Sequence, residues 1–341
     1  MTEIVRVGVV GVGHLGSQHA RIYSEIAKRS GGLVDFVGAF DTDTIRARAV
    51  TEKHGGGTFA STEELAEFAD AVSIATPTET HHEVARAFLE RGKNVLIEKP
   101  ITDNVQQAEA LVRLACKHNC VLQVGHVERF NPVMRYLDDV LADARFIEVH
   151  RLSPYTGRST DIGVVLDLMI HDLDVVMSLV KSPPTAVEAV GIPVLSETED
   201  IANARLKFAN GCVANITASR VSAERMRKIR IFGRTEHGAA YISLDYMKQE
   251  GELYRVAAED AQESGLLKKL LAGKHASIVS EFAGKKIVRE PVPIERDEPL
   301  KLEIQHFIES VRTRRQPLVS GEAAKQALEV AMEITRQMGS G

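Results

Sequence analysis

The chain has 341 residues, 44% hydrophobic and 26% charged, with a formal net charge of −5 at pH 7. That length favours two domains with a sizeable core, and the mild negative balance excludes a global basic field that would draw nucleic acid. The three cysteines have neither a paired nor a zinc-ligand spacing, the opening residues lack a signal-peptide pattern and no apolar run reaches membrane length. A reducing, cytoplasmic setting with no metal and no membrane is therefore expected.

Ile4–Val10 reads as a buried strand running into Gly11-Val12-Gly13-His14-Leu15-Gly16, and Leu15–Ala27 reads as a helix. A Gly-x-Gly-x-x-Gly turn between strand and helix is a dinucleotide signal. The first glycine permits the tight turn, the second lets the main chain approach a pyrophosphate, and the third lets the helix pack on the strand. The helix N-terminus adds N–H donors, so His14 and Leu15 join the cofactor candidates. Leu33–Phe40 is the second strand and Thr44–Lys53 the next helix. Asp41, between them, can accept hydrogen bonds from ribose hydroxyls and would repel a 2′-phosphate, which favours NAD. Arg46 and Arg48 leave NADP open, and capping of the helix is Asp41's alternative role.

Ala71–Ala75 is a short strand ended by Thr76-Pro77, and His81–Glu90 is helical. Thr76-Pro77-Thr78 falls where a strand's carboxyl end faces the ligand crevice of a wound sheet. Thr78 either contacts the cofactor or caps the helix. Asn94–Ile97 is a strand stopped by Pro100. In Val95-Leu96-Ile97-Glu98-Lys99-Pro100 the proline restrains Lys99 at the strand's carboxyl end. A partly desolvated lysine can exchange protons; an ion pair with Glu98 is the alternative. Asn104–His118 is a helix and Val121–Val124 a strand. Residues 1–125 thus read as a doubly wound parallel α/β domain, and 126–341 as a second domain.

Asn131–Leu141 and Leu166–Val180 have helical patterns. On a helix, the i,i+4 spacing puts Asp167 and His171 on one face. Imidazole can take a proton from an alcohol and a carboxylate can orient it or the substrate; a satisfied buried histidine is the alternative. Asp172 and Asp174 are expected to point elsewhere, to solvent or caps. From Val187 to about Arg255 the chain reads as successive strands, with a hairpin at Ala209-Asn210-Gly211, which suggests an α+β domain. Arg225, Arg227, Lys228 and Arg230 alternate with apolar residues as one face of a strand. Glu259–Ala276, with its leucine stripe, reads as a surface helix or excursion. Leu300–Arg312 and Glu322–Arg336 are closing helices, the second capped by Ser320.

Together these residues resemble the Gfo/Idh/MocA family of sugar oxidoreductases over nearly the whole chain. The likeness is carried by the glycine turn, Thr76-Pro77-Thr78-Glu79-Thr80-His81, Glu98-Lys99-Pro100, Gly125-His126-Val127-Glu128-Arg129-Phe130-Asn131-Pro132 and Asp167-x-x-x-His171. It implies an N-terminal Rossmann domain followed by an α+β domain on a large, mainly antiparallel open sheet. It also implies hydride transfer between a sugar hydroxyl carbon and NAD(P), and a homodimer or homotetramer. Lys99 and His171 would serve proton transfer and substrate orientation beside Asp167. Glu98 and His81, rather than His82, would lie toward the cofactor.

Thr78 departs from the asparagine usual there, and His126-Val127-Glu128 from the commoner aromatic, polar and basic residues. Within the family the likeness extends to a branch acting on nucleotide sugars such as UDP-N-acetylglucosamine at C3, whose product is aminated for amide-linked lipid A. Its motifs are the Gly125–Pro132 string, Asp167-Leu168-Met169-Ile170-His171-Asp172, Asp200-Ile201-Ala202-Asn203-Ala204-Arg205 and Pro154-Tyr155-Thr156-Gly157-Arg158. Arg129, Asn131, Tyr155 and Arg158 are further substrate candidates. Arg158 could pair with a diphosphate, or be a surface arginine. A dehydrogenase of free sugars or inositols and a non-catalytic dinucleotide sensor remain as alternatives.

Overall fold

The computed structural model describes residues 4–155, 162–256, 277–282 and 285–339. The chain forms two compact units, Met1–Phe130 with Glu298–Glu329, and Asn131–Asp297 with Val330–Gly341. Residues 298–329, which the division of the sequence at 125/126 groups with the second domain, thus pack in the first unit.

The first unit alternates strand and helix: β1 Val5–Val10, α1 His14–Arg29, β2 Val34–Phe40, α2 Thr44–His54, β3 Gly57–Thr58, α3 Thr62–Phe68, β4 Ala71–Ile74, α4 Thr78–Leu89, β5 Asn94–Glu98, α5 Val105–Lys117 and β6 Leu122–Gly125. The strands form one sheet in the order β3-β2-β1-β4-β5-β6, every pairing parallel. The whole of β4 and β5 is buried, as expected of parallel strands covered on both faces. The order reverses between β1 and β4, which makes the carboxyl edge there a topological switch point. Val5, Val7, Tyr23 and Phe36 pack in one core with Ile304, Phe307, Ile308 and Val311 of the helix Pro299–Thr313. Tyr23 closes this core by pairing its hydroxyl with Ser73 at 2.7 Å.

Two elements of this alternation escape the sequence reading, as do the strands Asp143–Leu152, Ser277–Phe282 and Lys285–Pro291 of the second unit. β3 has only two residues, both exposed, so no apolar run marks it. α3 is seven residues long, too short for periodicity to show, and its start is set by Ser61, which accepts the Glu64 N–H at 3.1 Å.

The second unit contains α6 Pro132–Val140, β7 Asp143–Leu152, a π-helical turn Val165–Met169 and α7 Ile170–Val180. These are followed by β8 Pro184–Ile192, β9 Ile201–Phe208, β10 Val213–Ser219, β11 Met226–Thr235, β12 Gly238–Asp245, β13 Glu250–Val256, β14 Ser277–Phe282 and β15 Lys285–Pro291. α8 is Pro299–Thr313, and α9, Gly321–Met338, ends the described chain. The sheet order is β14-β15-β13-β12-β11-β7-β10-β9-β8. Only β7 and β10 pair in parallel, so the sheet is mixed and mostly antiparallel. Ala214, Ile216 and Ala218 of β10 are buried at every second position, the pattern of a sheet with one covered face.

The hairpin between β9 and β10 turns at Gly211 with φ +83°. Ser320 accepts the Ala323 N–H at 3.2 Å, as its capping role requires. Of the basic cluster, Lys228 and Arg230 share one face of β11 and alternate with buried Ile229 and Ile231. Arg227 belongs to the opposite face and Arg225 precedes the strand, so the single-face reading holds for two of the four. Residues 259–276 lie outside the described residues. Among the described residues no helix is long and apolar enough to cross a membrane.

Candidate active site

At the carboxyl edge of the first sheet, each glycine of the turn has a different reason to be glycine. Gly11 sits at φ +79°, and its N–H donates to Phe40 O at 2.8 Å. A β-carbon there would stand 2.8 Å from Ala75 O and Thr76 Cγ2. One on Gly16 would collide with the carbonyl oxygen of Gly11. Gly13 is different: its φ is −64°, and a β-carbon would meet nothing within 4 Å. Neither backbone strain nor packing within the protein demands glycine there, and the open space suits a ligand that approaches the main chain. Gly13 caps α1 without a side-chain acceptor, so the first-turn N–H groups face the same opening. His14 and Leu15 are exposed beside it.

Asp41 is buried at the end of β2. One carboxylate oxygen accepts the Val12 N–H at 2.8 Å and the other the Asp43 N–H at 2.8 Å, which ties the glycine turn to β2. Each oxygen keeps further lone-pair capacity for a ribose hydroxyl. The alternative role of helix cap falls to Asp43, which accepts N–H groups of Ile45 and Arg46, each at 3.1 Å. The Arg46 guanidinium stands 3.7 Å from Asp41, and Arg48 is exposed on α2.

The ends of β4 and β5 are joined by His81. Its buried ring lies between two main-chain carbonyls, with Nδ1 2.9 Å from Pro100 O and Nε2 2.9 Å from Thr76 O. Burial pushes its pKa below the ordinary histidine value, against the pull of the two carbonyls. His82 turns to Glu83 at 3.3 Å. Thr80 bonds Thr76 at 2.8 Å and Pro77 O at 2.7 Å. α4 begins after Pro77 with no side-chain cap bond, and Thr78 is its half-buried first residue, so the capping alternative for Thr78 lacks its hydrogen bond.

Lys99 is half-buried at the end of β5, and its peptide bond to Pro100 is cis. Glu98 pairs with His19 Nε2 at 2.9 Å, and its carboxylate lies 2.7 Å from where a Gly125 β-carbon would stand. Sequence reasoning missed His19. Its signal is the position three residues after Gly16, on the same face of α1, where the ring is fully buried.

In the second unit, Asp167 lies in the π turn, where the Ile170 N–H reaches Val165 O, and His171 is the second residue of α7; both are half-buried. Single π turns inside helices recur at functional sites. The expectation for Asp172 and Asp174 is overturned: they are 1% and 2% exposed. Asp172 forms a buried fork with Arg151 at 2.7 and 2.9 Å. The physical reason is that α7 is covered on nearly all sides, with Ile170, Leu173, Val175 and Val176 buried as well, so Asp172 meets a buried arginine instead of solvent. Asn131 caps α6 through the Val133 N–H at 3.3 Å and donates to Tyr246 O at 3.1 Å. Arg129 is half-buried in the 3-10 turn Val127–Phe130. Tyr155 is 38% exposed, and Arg158 lies outside the described residues. Among the described residues no group of three His, Cys, Asp or Glu could hold a metal ion.

Residues 5–126 match an oxidoreductase family with an NAD-binding Rossmann fold, and residues 134–237 match the GFO/IDH/MocA C-terminal domain. The chain is 34% identical over 331 residues to UDP-N-acetylglucosamine 3-dehydrogenase of Acidithiobacillus ferrooxidans, covering 97% of this chain and 96% of that protein. A solved structure of that enzyme superposes with a TM-score of 0.87 at 33% identity, covering 99% and 98% of the two chains. A more distant likeness, 26% identity covering 100% of this chain and 96% of the relative, is to scyllo-inositol 2-dehydrogenase (NAD(+)) of Bacillus subtilis.

Proposed function

The chain belongs to the Gfo/Idh/MocA family of NAD-binding oxidoreductases, and from that premise we propose that it oxidises a sugar-ring hydroxyl of a nucleotide sugar, UDP-N-acetylglucosamine at C3, with NAD. The observation that carries the reading is the set of groups at the carboxyl ends of β1, β2 and β5: an open glycine beside a helix N-terminus, a fixed carboxylate and a lysine. The choice of nucleotide sugar rests on the full-length likeness to the Acidithiobacillus enzyme.

The residues present fit a dinucleotide. The open space at Gly13 and the first turn of α1 would hold the pyrophosphate, and Asp41 the adenosine ribose. Asp41 disfavours a 2′-phosphate, which supports NAD over NADP. When bound, NAD supplies the acceptor for the hydride that leaves the sugar carbon. In the first unit, Lys99 is restrained beside that position, where its amine can hydrogen-bond the reacting hydroxyl or exchange its proton. In the second unit, His171 is the other candidate proton acceptor, and Asp167 orients the imidazole or a neighbouring sugar hydroxyl. Alignment of the reactants supplies much of the rate enhancement.

The protein is read as a cytoplasmic homodimer or homotetramer whose product is aminated for amide-linked lipid A. The test is NADH formation across UDP-sugars, free hexoses and inositols. Turnover of UDP-N-acetylglucosamine is the expected result; turnover of an inositol with none of the UDP-sugar would overturn the substrate.

A further inference from the structure

The Asp200–Arg205 motif takes no part in the reaction just described, yet Asp200 is fully buried and wired to its surroundings. One carboxylate oxygen accepts three successive N–H groups, from Val194, Leu195 and Ser196, at 2.7, 2.6 and 3.0 Å. Successive N–H groups curled around one anion form a nest, here filled by the protein's own carboxylate. The other oxygen takes the Ser196 hydroxyl at 2.7 Å and Arg220 Nε at 2.8 Å. Burial alone would raise the pKa of Asp200. The donors from Leu195, Ser196, Arg220 and Val194 outweigh it and hold the carboxyl far below the usual range.

Arg220, 4% exposed, carries the network onward. Nη1 donates to Ile162 O at 2.7 Å, and Nη2 to Ser196 Oγ and Thr198 Oγ1, each at 2.8 Å. Thr198 Oγ1 itself donates to Ile162 O at 3.3 Å. Next in the chain, Glu199 O accepts the Val164 N–H at 3.0 Å and its carboxylate the Val165 N–H at 3.3 Å. That carboxylate fills the space a side chain on Gly163 would need. Residues 162–165 are therefore gripped from outside on carbonyls and N–H groups alike. They lead directly into the π turn, where Asp167 N–H bonds Gly163 O at 3.1 Å and Ile170 N–H bonds Val165 O.

A π turn is a rare local choice that neighbouring structure must hold in place. Without the grip, the segment is free to wind as an ordinary α-helix, which would rotate Asp167 against His171. We propose that the Asp200–Arg220 pair, acting through Thr198 and Glu199, is a positioning device that sets Asp167 and His171 for the sugar. Arginine suits the task because its rigid fork reaches carboxylate, carbonyl and hydroxyl at once, which a lysine ammonium cannot do with the same geometry. The proposal rests on the dehydrogenase reading above.

The test uses the full-length protein and the Arg220→Lys and Thr198→Val variants, with amide hydrogen exchange over residues 164–171, NADH affinity and steady-state kinetics on UDP-N-acetylglucosamine. Arg220→Lys keeps the charge and loses the fork, so kcat should fall at least about tenfold through misalignment. NADH affinity should stay unchanged and amides 164–171 should exchange faster. Thr198→Val should act in the same direction and less. Free guanidinium should restore part of kcat to Arg220→Ala, an outcome a general loss of stability would not give. Where an Arg220 variant fails to fold, Thr198→Val decides through exchange and kcat. Folded variants with wild-type kcat and wild-type exchange at 164–171 overturn the proposal. Faster exchange there in a protein that oxidises no sugar keeps the positioning and overturns the dehydrogenase reading.

Discussion

At the carboxyl edge of the first sheet the working surface is largely main chain. Glycines 11, 13 and 16 shape it, the Asp41 carboxylate binds the Val12 N–H, and His81 spans two carbonyls. Around His171 in the second unit the backbone is held by charged side chains from other elements: Arg151 grips Asp172 beside it, and Arg220 with Asp200 grips the segment before it. A surface made of backbone tolerates little added bulk, whereas one held by buried charges tolerates little loss of a charge. The two regions should therefore fail in different ways.

The largest effect tests whether both regions serve one reaction. Lys99→Ala in the first unit and His171→Ala in the second should each lower kcat by about 10²–10⁴-fold, the usual range for a lost proton-transfer group. NADH binding, followed by fluorescence, should survive in both. If only one variant loses turnover, the other region has no part in the chemistry.

Next in size is the cost of a lost charge in the second region. Arg151→Met or Asp172→Asn leaves the remaining buried charge without its fork partner, and each should cost about 3–5 kcal/mol in urea unfolding. Replacing both with apolar residues, Arg151→Met with Asp172→Leu, should recover most of that loss. Single substitutions costing under about 1 kcal/mol would erase the contrast with the first region.

These two kinds of construction explain what the sequence discloses. The glycine turn, Asp41 and Glu98-Lys99-Pro100 are readable as patterns because each follows directly on an apolar strand, whose carboxyl end the local sequence marks. His19 escaped because its partner Glu98 is 79 residues away. The burial of Asp172 escaped because it depends on Arg151, 21 residues away, and on an α7 that is covered on nearly all sides. The hub at Asp200 was visible only as a motif, since its partners on loop 194–199 and at Arg220 meet through the fold.

A smaller effect separates ligand from packing within the glycine turn. Gly13→Ser introduces a good helix N-cap at an ordinary φ, so folding stability should change by no more than about 0.5 kcal/mol. Its side chain enters the open space assigned to the pyrophosphate, so NAD affinity should fall about tenfold, roughly 1.4 kcal/mol. Gly16→Ala should show the reverse emphasis, losing about 1–3 kcal/mol of stability because the β-carbon meets the Gly11 carbonyl. Unchanged NAD affinity in Gly13→Ser would mean that the open space holds no cofactor.

The smallest effect concerns acid. His81 has its pKa lowered in the fold by burial, so the unfolded chain takes up a proton at a higher pH than the native protein does. Between the two values the unfolded state binds more protons, and stability falls as pH drops below the ordinary histidine value, by at most about 1.4 kcal/mol per pH unit from this residue. His81→Asn should flatten that limb while lowering stability at neutral pH, since the smaller asparagine leaves part of the buried ring's space empty. His54 and His306 are also shifted down, so the comparison must be variant against wild type rather than wild type alone. Asp200 runs on a separate scale. Its carboxyl is held low, so its contribution is complete above the ordinary carboxylate value and is lost only in stronger acid. Mild acid should thus loosen the main-chain region first and leave the charge-held region intact. An unchanged limb in His81→Asn would mean that the His81 pKa is the same in the native and unfolded chains, and a steeper one that the two carbonyls keep the ring protonated despite its burial.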